Sequence, residues 1–403
     1  MCIRDRNETG RDKLTKYVLP RGRLRIMEAY AVTPTGTRLE ASSIRGGTVR
    51  FRELEVGSTI VVQYRLDTYP GGYLSRHLFR RWFFHGQGFQ FADSHYVLMG
   101  PEQMRIGEFG HGAWTRSERV QGDRRILEYR ARDVPPLVAE PFMPPMIDLL
   151  DQVVLSSIPD WDTVAGWDAN LLLDAFRPTP EIQQLARDLT REAATTREKL
   201  DAITRFVMRE IRYQQDYEIN IAGVKPHAAP IVLQRGYGDC KDKSVLLMTL
   251  AKEVGIETRF ALLRTTGQGD FIKALPALQF NHAIVYVPAQ DGIDKPLFVD
   301  ATPDTLDLKT LRLDSQNTWA LVIDPVSTEW EFVRIPRTAA KLQYTIRKTQ
   351  VVLDPDGKST IEIAFTFQGP AAASVRTILR NPDSAKVFTS NLANNLFPGS
   401  SVI

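Results

Sequence analysis

The chain has 403 residues, 43% hydrophobic and 25% charged, which suits two or three globular domains with real cores. A net charge of +3 over that length makes no strong field toward nucleic acid or an anionic membrane. No window approaches the roughly 18 uninterrupted apolar residues of a membrane span. The opening MCIRDR resembles a translated sequencing adapter, so residues 1–6 are read as an artefact and any export signal as lost. Cys240 is then the one cysteine left, and no internal disulfide is expected.

Residues 7–160 read as a β-rich domain. TVRFRELEVGSTIVVQYRLDT, from Thr48, alternates apolar and polar side chains around a Val-Gly-Ser turn, as half-buried antiparallel strands do; FQFADSHYVLMG and RRILEYRARDV behave likewise. The basic, aromatic RHLFRRWFFHG at 76–86 is read as a strand carrying exposed arginines. DVPPLVAEPFMPPM, 133–146, has too many prolines for a ladder and is a connecting segment. Trp161 and Trp167 read as packing anchors at the entry to helical territory. From Pro180 the period becomes helical: Ile182, Leu185 and Leu189, then Leu200, Ile203, Phe206, Val207 and Ile211, mark two amphipathic helices, with Thr179 before Pro180 at the first start. A loop is expected from about Gln214 to Gly238, then the helix that carries Cys240. Strands follow in TRFALLRT, FNHAIVYVP and PLFVDAT. Residues 161–335 thus form a mixed core, and 336–403 return to alternation with a hairpin turn at Asp356-Gly357, read as the start of a β-rich domain that is cut short.

Cys240 stands between charged residues in GYGDCKDKS, where a cysteine kept for packing would sit in an apolar run. Asp239 followed by Asp242 has capping-box spacing and places Cys240 at a helix N-terminus. The positive end of the helix dipole, with Lys241 and Lys243 nearby, favours thiolate there, and Gly236 and Gly238 would let a substrate backbone approach. A thiol nucleophile needs a base. His77, His85, His95 and His111 lie in the β-rich part and read as structural, and His227 as a loop residue between prolines. His282 opens the strand NHAIVYV, and Asp300 ends the apolar PLFVD. An antiparallel neighbour would let Asp300 accept from the second imidazole nitrogen.

The order of Cys in GYGDCKDKS, His in FNHAIVYV and Asp in LFVDATPD resembles the transglutaminase-like superfamily, relatives of papain-type cysteine peptidases. More narrowly it is similar to bacterial proteins with an N-terminal DUF3857 domain before that core. The resemblance implies an α+β fold, a papain-like transglutaminase core flanked by β-rich N-terminal and C-terminal domains. It also implies Cys240 as nucleophile, His282 as general base and acid, and Asp300 as the group that orients it. A peptide or protein substrate and a periplasmic or cell-envelope location come with it.

Attack on an amide develops an oxyanion, which the Cys240 backbone N–H meets with one partner. Papain-like enzymes use a side chain upstream of the cysteine, so the resemblance makes Tyr213 and Gln214 in IRYQQ candidates, with Tyr237 another, and Asn281 is either a loop-holding residue or a turn residue. Zinc spacing, a calcium loop, a P-loop and a dinucleotide fingerprint are all missing from the sequence, so no cofactor or metal is expected, and Asp304 and Asp307 read as solvated. Hydrolysis of an amide is the first reading. Acyl transfer to an amine and a non-catalytic envelope-binding module are the alternatives; oligomeric state is not set by the sequence.

Overall fold

The computed structural model describes residues 2–4, 8–67, 74, 76–85, 90–215, 224–400 and 402. The chain divides into two compact units, Met1–Ser75 and Arg76–Ile403. In the first, the strands are β1 (Cys2–Arg4), β2 (Lys16–Val18), β3 (Arg23–Val32), β4 (Arg38–Glu40), β5 (Ser43–Arg45), β6 (Thr48–Arg50) and β7 (Thr59–Asp67), with helix α1 (Glu8–Leu14). They make two antiparallel sheets, ordered β1-β7-β3-β4 and β2-β6-β5. The two strands expected around Val56-Gly57-Ser58 both form, but they join different sheets, since the cluster of Val49, Phe51, Ile60 and Val62 draws them to one core from two layers. Alternation predicts a strand's faces and does not name its neighbour.

The second unit opens with β8 (Phe79–Phe83), β9 (Phe91–Pro101), β10 (Gly107–His111), β11 (Thr115–Gln121), β12 (Arg124–Val134) and β13 (Gln152–Ser156). They form sheets ordered β10-β13-β8 and β11-β12-β9 around Phe84, Leu127, Tyr129, Val153 and Leu155. Between β12 and β13 the proline-rich segment is irregular apart from one helical turn, α2 (Met146–Leu149). The histidines here have structural partners: His77 Nδ1 lies 3.0 Å from the Ser157 carbonyl, His85 Nδ1 accepts from the Asp151 N–H at 3.2 Å, His95 faces Glu128 and His111 faces Gln152.

Helix α3 (Trp161–Leu173) starts at Asp160, whose carboxylate accepts from the Thr163 N–H at 2.8 Å. Trp161 is buried against Phe271, Phe280 and Phe332 and donates to the Lys273 carbonyl at 2.9 Å; Trp167 is half-buried. Helices α4 (Pro180–Thr190) and α5 (Thr196–Glu210) follow, capped by Thr179 and by a Thr195–Glu198 capping box. A two-residue strand β14 (Arg212–Tyr213) comes next, then α6 (Ala229–Arg235), β15 (Tyr237–Gly238) and α7 (Cys240–Glu253). Helix α6 interrupts the stretch expected to be loop. Its signals are local ones, Pro230 in the first turn and Gly236 at φ +67° as the left-handed C-cap.

Helix α7 is the hub of the unit. It packs on α4, α5, α6 and on β17 (His282–Val287), and Val245, Leu246, Leu247 and Leu250 are fully buried among Ile182, Leu200, Ile203, Val285 and Val287. At about 1.5–3 kcal/mol for each buried aliphatic side chain, this packing outweighs the roughly 1 kcal/mol of an N-cap, so the core places the helix and the cap tunes its end. β17 sits inside a five-stranded antiparallel sheet ordered β18-β17-β16-β19-β20, with β16 (Arg259–Leu263), β18 (Leu297–Val299), β19 (Trp319–Ile323) and β20 (Trp330–Arg334). All six β17 residues are buried, because both faces of this interior strand are covered. A hairpin, β21 (Thr345–Leu353) and β22 (Ser359–Phe367), turns through Asp356-Gly357 as expected; two helices that alternation does not announce follow it, α8 (Pro370–Leu379) and α9 (Pro382–Leu396). The architecture is α+β.

Candidate active site

Cys240 is the first residue of α7, and its side chain is partly exposed. Asp239 is the N-cap: Oδ1 accepts from the Lys241 N–H at 3.2 Å and the Asp242 N–H at 3.4 Å, while Asp242 Oδ2 accepts from the Asp239 N–H at 3.2 Å. This reciprocal capping box leaves the Cys240 thiol and backbone N–H at the positive end of the helix. Gly238 serves packing more than substrate access. A Cβ there would stand 2.6 Å from the Asp242 Cβ, so the turn into the helix needs glycine.

The two lysines do something other than flank the thiol. Lys241 Nζ pairs with the Asp239 carboxylate, neutralising part of the cap. Lys243 is fully buried and donates to the Ile211 carbonyl at 2.6 Å and the Met208 carbonyl at 3.3 Å, closing the C-terminal end of α5. Burial pulls its ammonium down to about 8, against the nearby charges of Asp300 and Asp304. Asp304 itself pairs with Arg380 of α8, so it is not simply solvated.

His282 is the first residue of β17 and is 5% exposed. β17 and β18 run antiparallel with Val285 opposite Val299, which brings the end of β18 to the start of β17. His282 Nε2 consequently lies 2.8 Å from Asp300 Oδ2. The other Asp300 oxygen accepts from the Thr302 N–H at 2.9 Å and from the Thr302 hydroxyl at 2.7 Å, so this buried carboxylate is fully engaged. Burial alone would pull the imidazole down. The Asp300 charge, its hydrogen bond, and a hydrogen bond with Cys240 outweigh that and lift His282 to about 10. Burial would raise Asp300, yet His282 and Thr302 hold it below the usual carboxylate range. With Nε2 taken by Asp300, Nδ1 is the ring nitrogen not engaged by that carboxylate.

Cys240, His282 and Asp300, spread over 60 positions of sequence, are thereby brought near one another. Tyr213 joins them. β14 pairs in parallel with β15, Tyr213 opposite Gly238, and burial followed by the Cys240 and Asp239 charges pushes its hydroxyl up to about 12, with Arg312 pulling the other way. The other two oxyanion candidates have neighbours of their own. Gln214 Oε1 accepts from Arg212 Nη2 at 2.7 Å, and the Tyr237 ring has the guanidinium carbons of Arg212 and Arg235 each 5.9 Å from its centroid. Asn281 is a loop holder: its Oδ1 accepts from the Thr265 N–H at 2.9 Å and its Nδ2 donates to the Thr265 hydroxyl at 2.8 Å, fixing the entry to β17. Among the described residues, no group of three or more His, Cys, Asp or Glu side chains is arranged to hold a metal ion.

The family model described as the transglutaminase-like superfamily matches residues 183–292, a span that contains Tyr213, Cys240 and His282 and stops short of Asp300. Residues 183–292 are a transglutaminase-like core. No curated protein matches the chain. Among solved structures, a candidate protease from Parabacteroides distasonis is similar at a TM-score of 0.60 and 15% identity, over 84% of this chain and 67% of that one. This is a likeness of fold. A candidate cysteine protease from Cytophaga hutchinsonii (TM-score 0.30, 11% identity, 72% and 89% covered) and the periplasmic domain of TgpA from Pseudomonas aeruginosa (TM-score 0.23, 16% identity, 72% and 90% covered) are too distant in shape to carry an argument. No helix among the described residues is long and apolar enough to cross a membrane.

Sequence reasoning missed three participants around the transglutaminase-like core. Thr302 had a signal, since an Asp-x-Thr turn is a local hydrogen-bonding pattern. Lys243 had none, because its partners end a helix more than 30 positions upstream. His227, a loop residue or a cleft-lining one by its sequence, faces Asp242, a contact 15 positions away that its loop does not announce.

Proposed function

We propose that the protein is a thiol-dependent amide hydrolase, a peptidase or amidase, with Cys240 as nucleophile, His282 as general base and acid, and Asp300 as its orienting group. The observation that carries this reading is the His282 imidazole, held by Asp300 at 2.8 Å on one nitrogen and close enough to Cys240, at a helix N-terminus, for the thiol to raise its pKa. The Cys240 thiol gives its proton to His282, and the thiolate sulfur attacks the amide carbonyl carbon, forming a C–S bond while the carbonyl electrons move to oxygen. The Cys240 backbone N–H and the Tyr213 hydroxyl are the donors for that oxyanion. On collapse the C–N bond breaks, and His282 gives its proton to the departing amine. Water then loses a proton to His282 and attacks the thioester; the C–S bond breaks and a carboxylic acid leaves.

We read 7–160 as DUF3857-like, on its strand-rich sequence and its place ahead of the core. A periplasmic or cell-envelope location and a peptide or protein substrate rest on the same resemblance. The test uses p-nitrophenyl acetate as an acyl donor, with intact-mass detection of one acetyl group on Cys240. Wild type should acylate and release nitrophenolate, and Cys240→Ser and His282→Ala should not. Adding an amine then reports whether the thioester goes to water or to nitrogen. An adduct that forms equally in His282→Ala would sink the reading.

A further inference from the structure

Asp242 is 1% exposed, and both of its oxygens are occupied from outside its own turn. Oδ1 accepts from the His227 backbone N–H at 2.8 Å; Oδ2 accepts from the Asp239 N–H at 3.2 Å and lies 3.3 Å from His227 Nδ1. An ionised carboxylate only accepts, so the ring nitrogen facing it carries a proton. The loop before α6 therefore grips, through one buried carboxylate, the turn that delivers Cys240.

We propose that His227 is a positioning residue for Cys240, acting through Asp242; this rests on Cys240 being the nucleophile. A carboxylate held at one oxygen can swing about its own bond. Two donors from His227, on different oxygens, fix its plane so that Oδ2 meets the Asp239 N–H. That bond sets the Gly238-Asp239 turn, which has no slack because Asp242 Cβ already fills the space beside Gly238. Any swing of Asp242 is thus passed to the backbone of Cys240, whose sulfur and N–H must both meet the same carbonyl group. Misplacement on the scale of an ångström is enough to lower reactivity severely.

The test compares iodoacetamide alkylation of Cys240 in wild type, His227→Asn and His227→Phe between pH 6 and 9, with thermal midpoints alongside. Asn places a donor where His227 Nδ1 stands; Phe keeps the ring and loses the donor. Roughly tenfold slower alkylation in His227→Phe at every pH, with His227→Asn close to wild type, is the expected result. If Phe matches wild type while Asn is slow, the ring's bulk is what matters and the proposal is overturned; equal rates in all three overturn it too. If His227→Phe does not fold, His227→Ala with and without added free imidazole replaces it, and absence of rescue counts against the proposal. A failure of the nucleophile reading looks different: wild type itself would react as an ordinary thiol and His282→Ala would change nothing.

Discussion

Replacing Asp300 by Asn, in a Cys240→Ser background that removes the thiol and with Lys243→Met in both proteins to remove the neighbouring ammonium, tests the charge pair at the site. His282 is raised from its ordinary 6.5 to about 10 against the opposing effect of burial. At about 1.4 kcal/mol per pH unit the whole rise corresponds to about 5 kcal/mol, and removing the thiol's share leaves about 2–4 kcal/mol to the Asp300 partnership. A raised imidazole pKa stabilises the fold fully below about 6.5, and that stabilisation is lost as pH climbs through about 10. Asp300, held low, acts with the opposite sense and loses its contribution only on acidification. The stability gap between Cys240→Ser/Lys243→Met and Cys240→Ser/Lys243→Met/Asp300→Asn should therefore be widest near pH 5–6.5 and close by about 2–4 kcal/mol toward pH 10. Urea unfolding at pH 5.5, 7, 8.5 and 10 measures it. A gap that does not change with pH would refute the buried imidazolium–carboxylate pair.

Tyr213→Phe should lower kcat on an acyl donor by about 10- to 100-fold with little change in KM and no change in alkylation rate, since the hydroxyl acts on the oxyanion and not on the thiol; steady-state kinetics beside alkylation would show it. Lys243→Met should destabilise the fold by about 1–2 kcal/mol at pH 7, leaving the Ile211 and Met208 carbonyls without their donor. Because burial holds Lys243 near 8, the native state sheds its proton first, so the wild type should gain up to about 3 kcal/mol on Lys243→Met between pH 8 and 10.5 in urea titrations. Asp168 on α3 is buried, has an unpartnered Oδ2, and is pushed by burial up to about 7. Its ionisation weakens the fold as pH rises from about 4 through about 7, so Asp168→Asn should be about 2–4 kcal/mol more stable than wild type at pH 8 and no more stable at pH 4.

The parts legible in the sequence were those whose chemistry is local. The cap around Cys240 is written in four consecutive residues, the starts of α4 and α5 in Thr179-Pro180 and Thr195 with Glu198, and the β21–β22 turn in Asp356-Gly357. His282 and Asp300 stood out because each is polar at the end of an apolar strand. What the sequence withheld depends on who meets whom. Setting Tyr213 opposite Gly238 needs the parallel β14–β15 pairing, across a gap of more than 20 positions. Lys243 looked like a surface charge beside the thiol until the end of α5 supplied its carbonyls. β19 is an unbroken apolar run and β20 mixes apolar and charged residues, so neither shows alternation, and the interior strand β17, covered on both faces, shows none in its burial.

The central claim is that Cys240 and His282 form an activated pair, and the pH dependence of Cys240 alkylation by iodoacetamide in wild type and His282→Ala tests it most directly. The account predicts that wild type reacts rapidly at pH values well under the roughly 8.5 at which a free thiol ionises, and that His282→Ala loses that acidic limb. Identical profiles in the two proteins, both following an ordinary thiol, would contradict it.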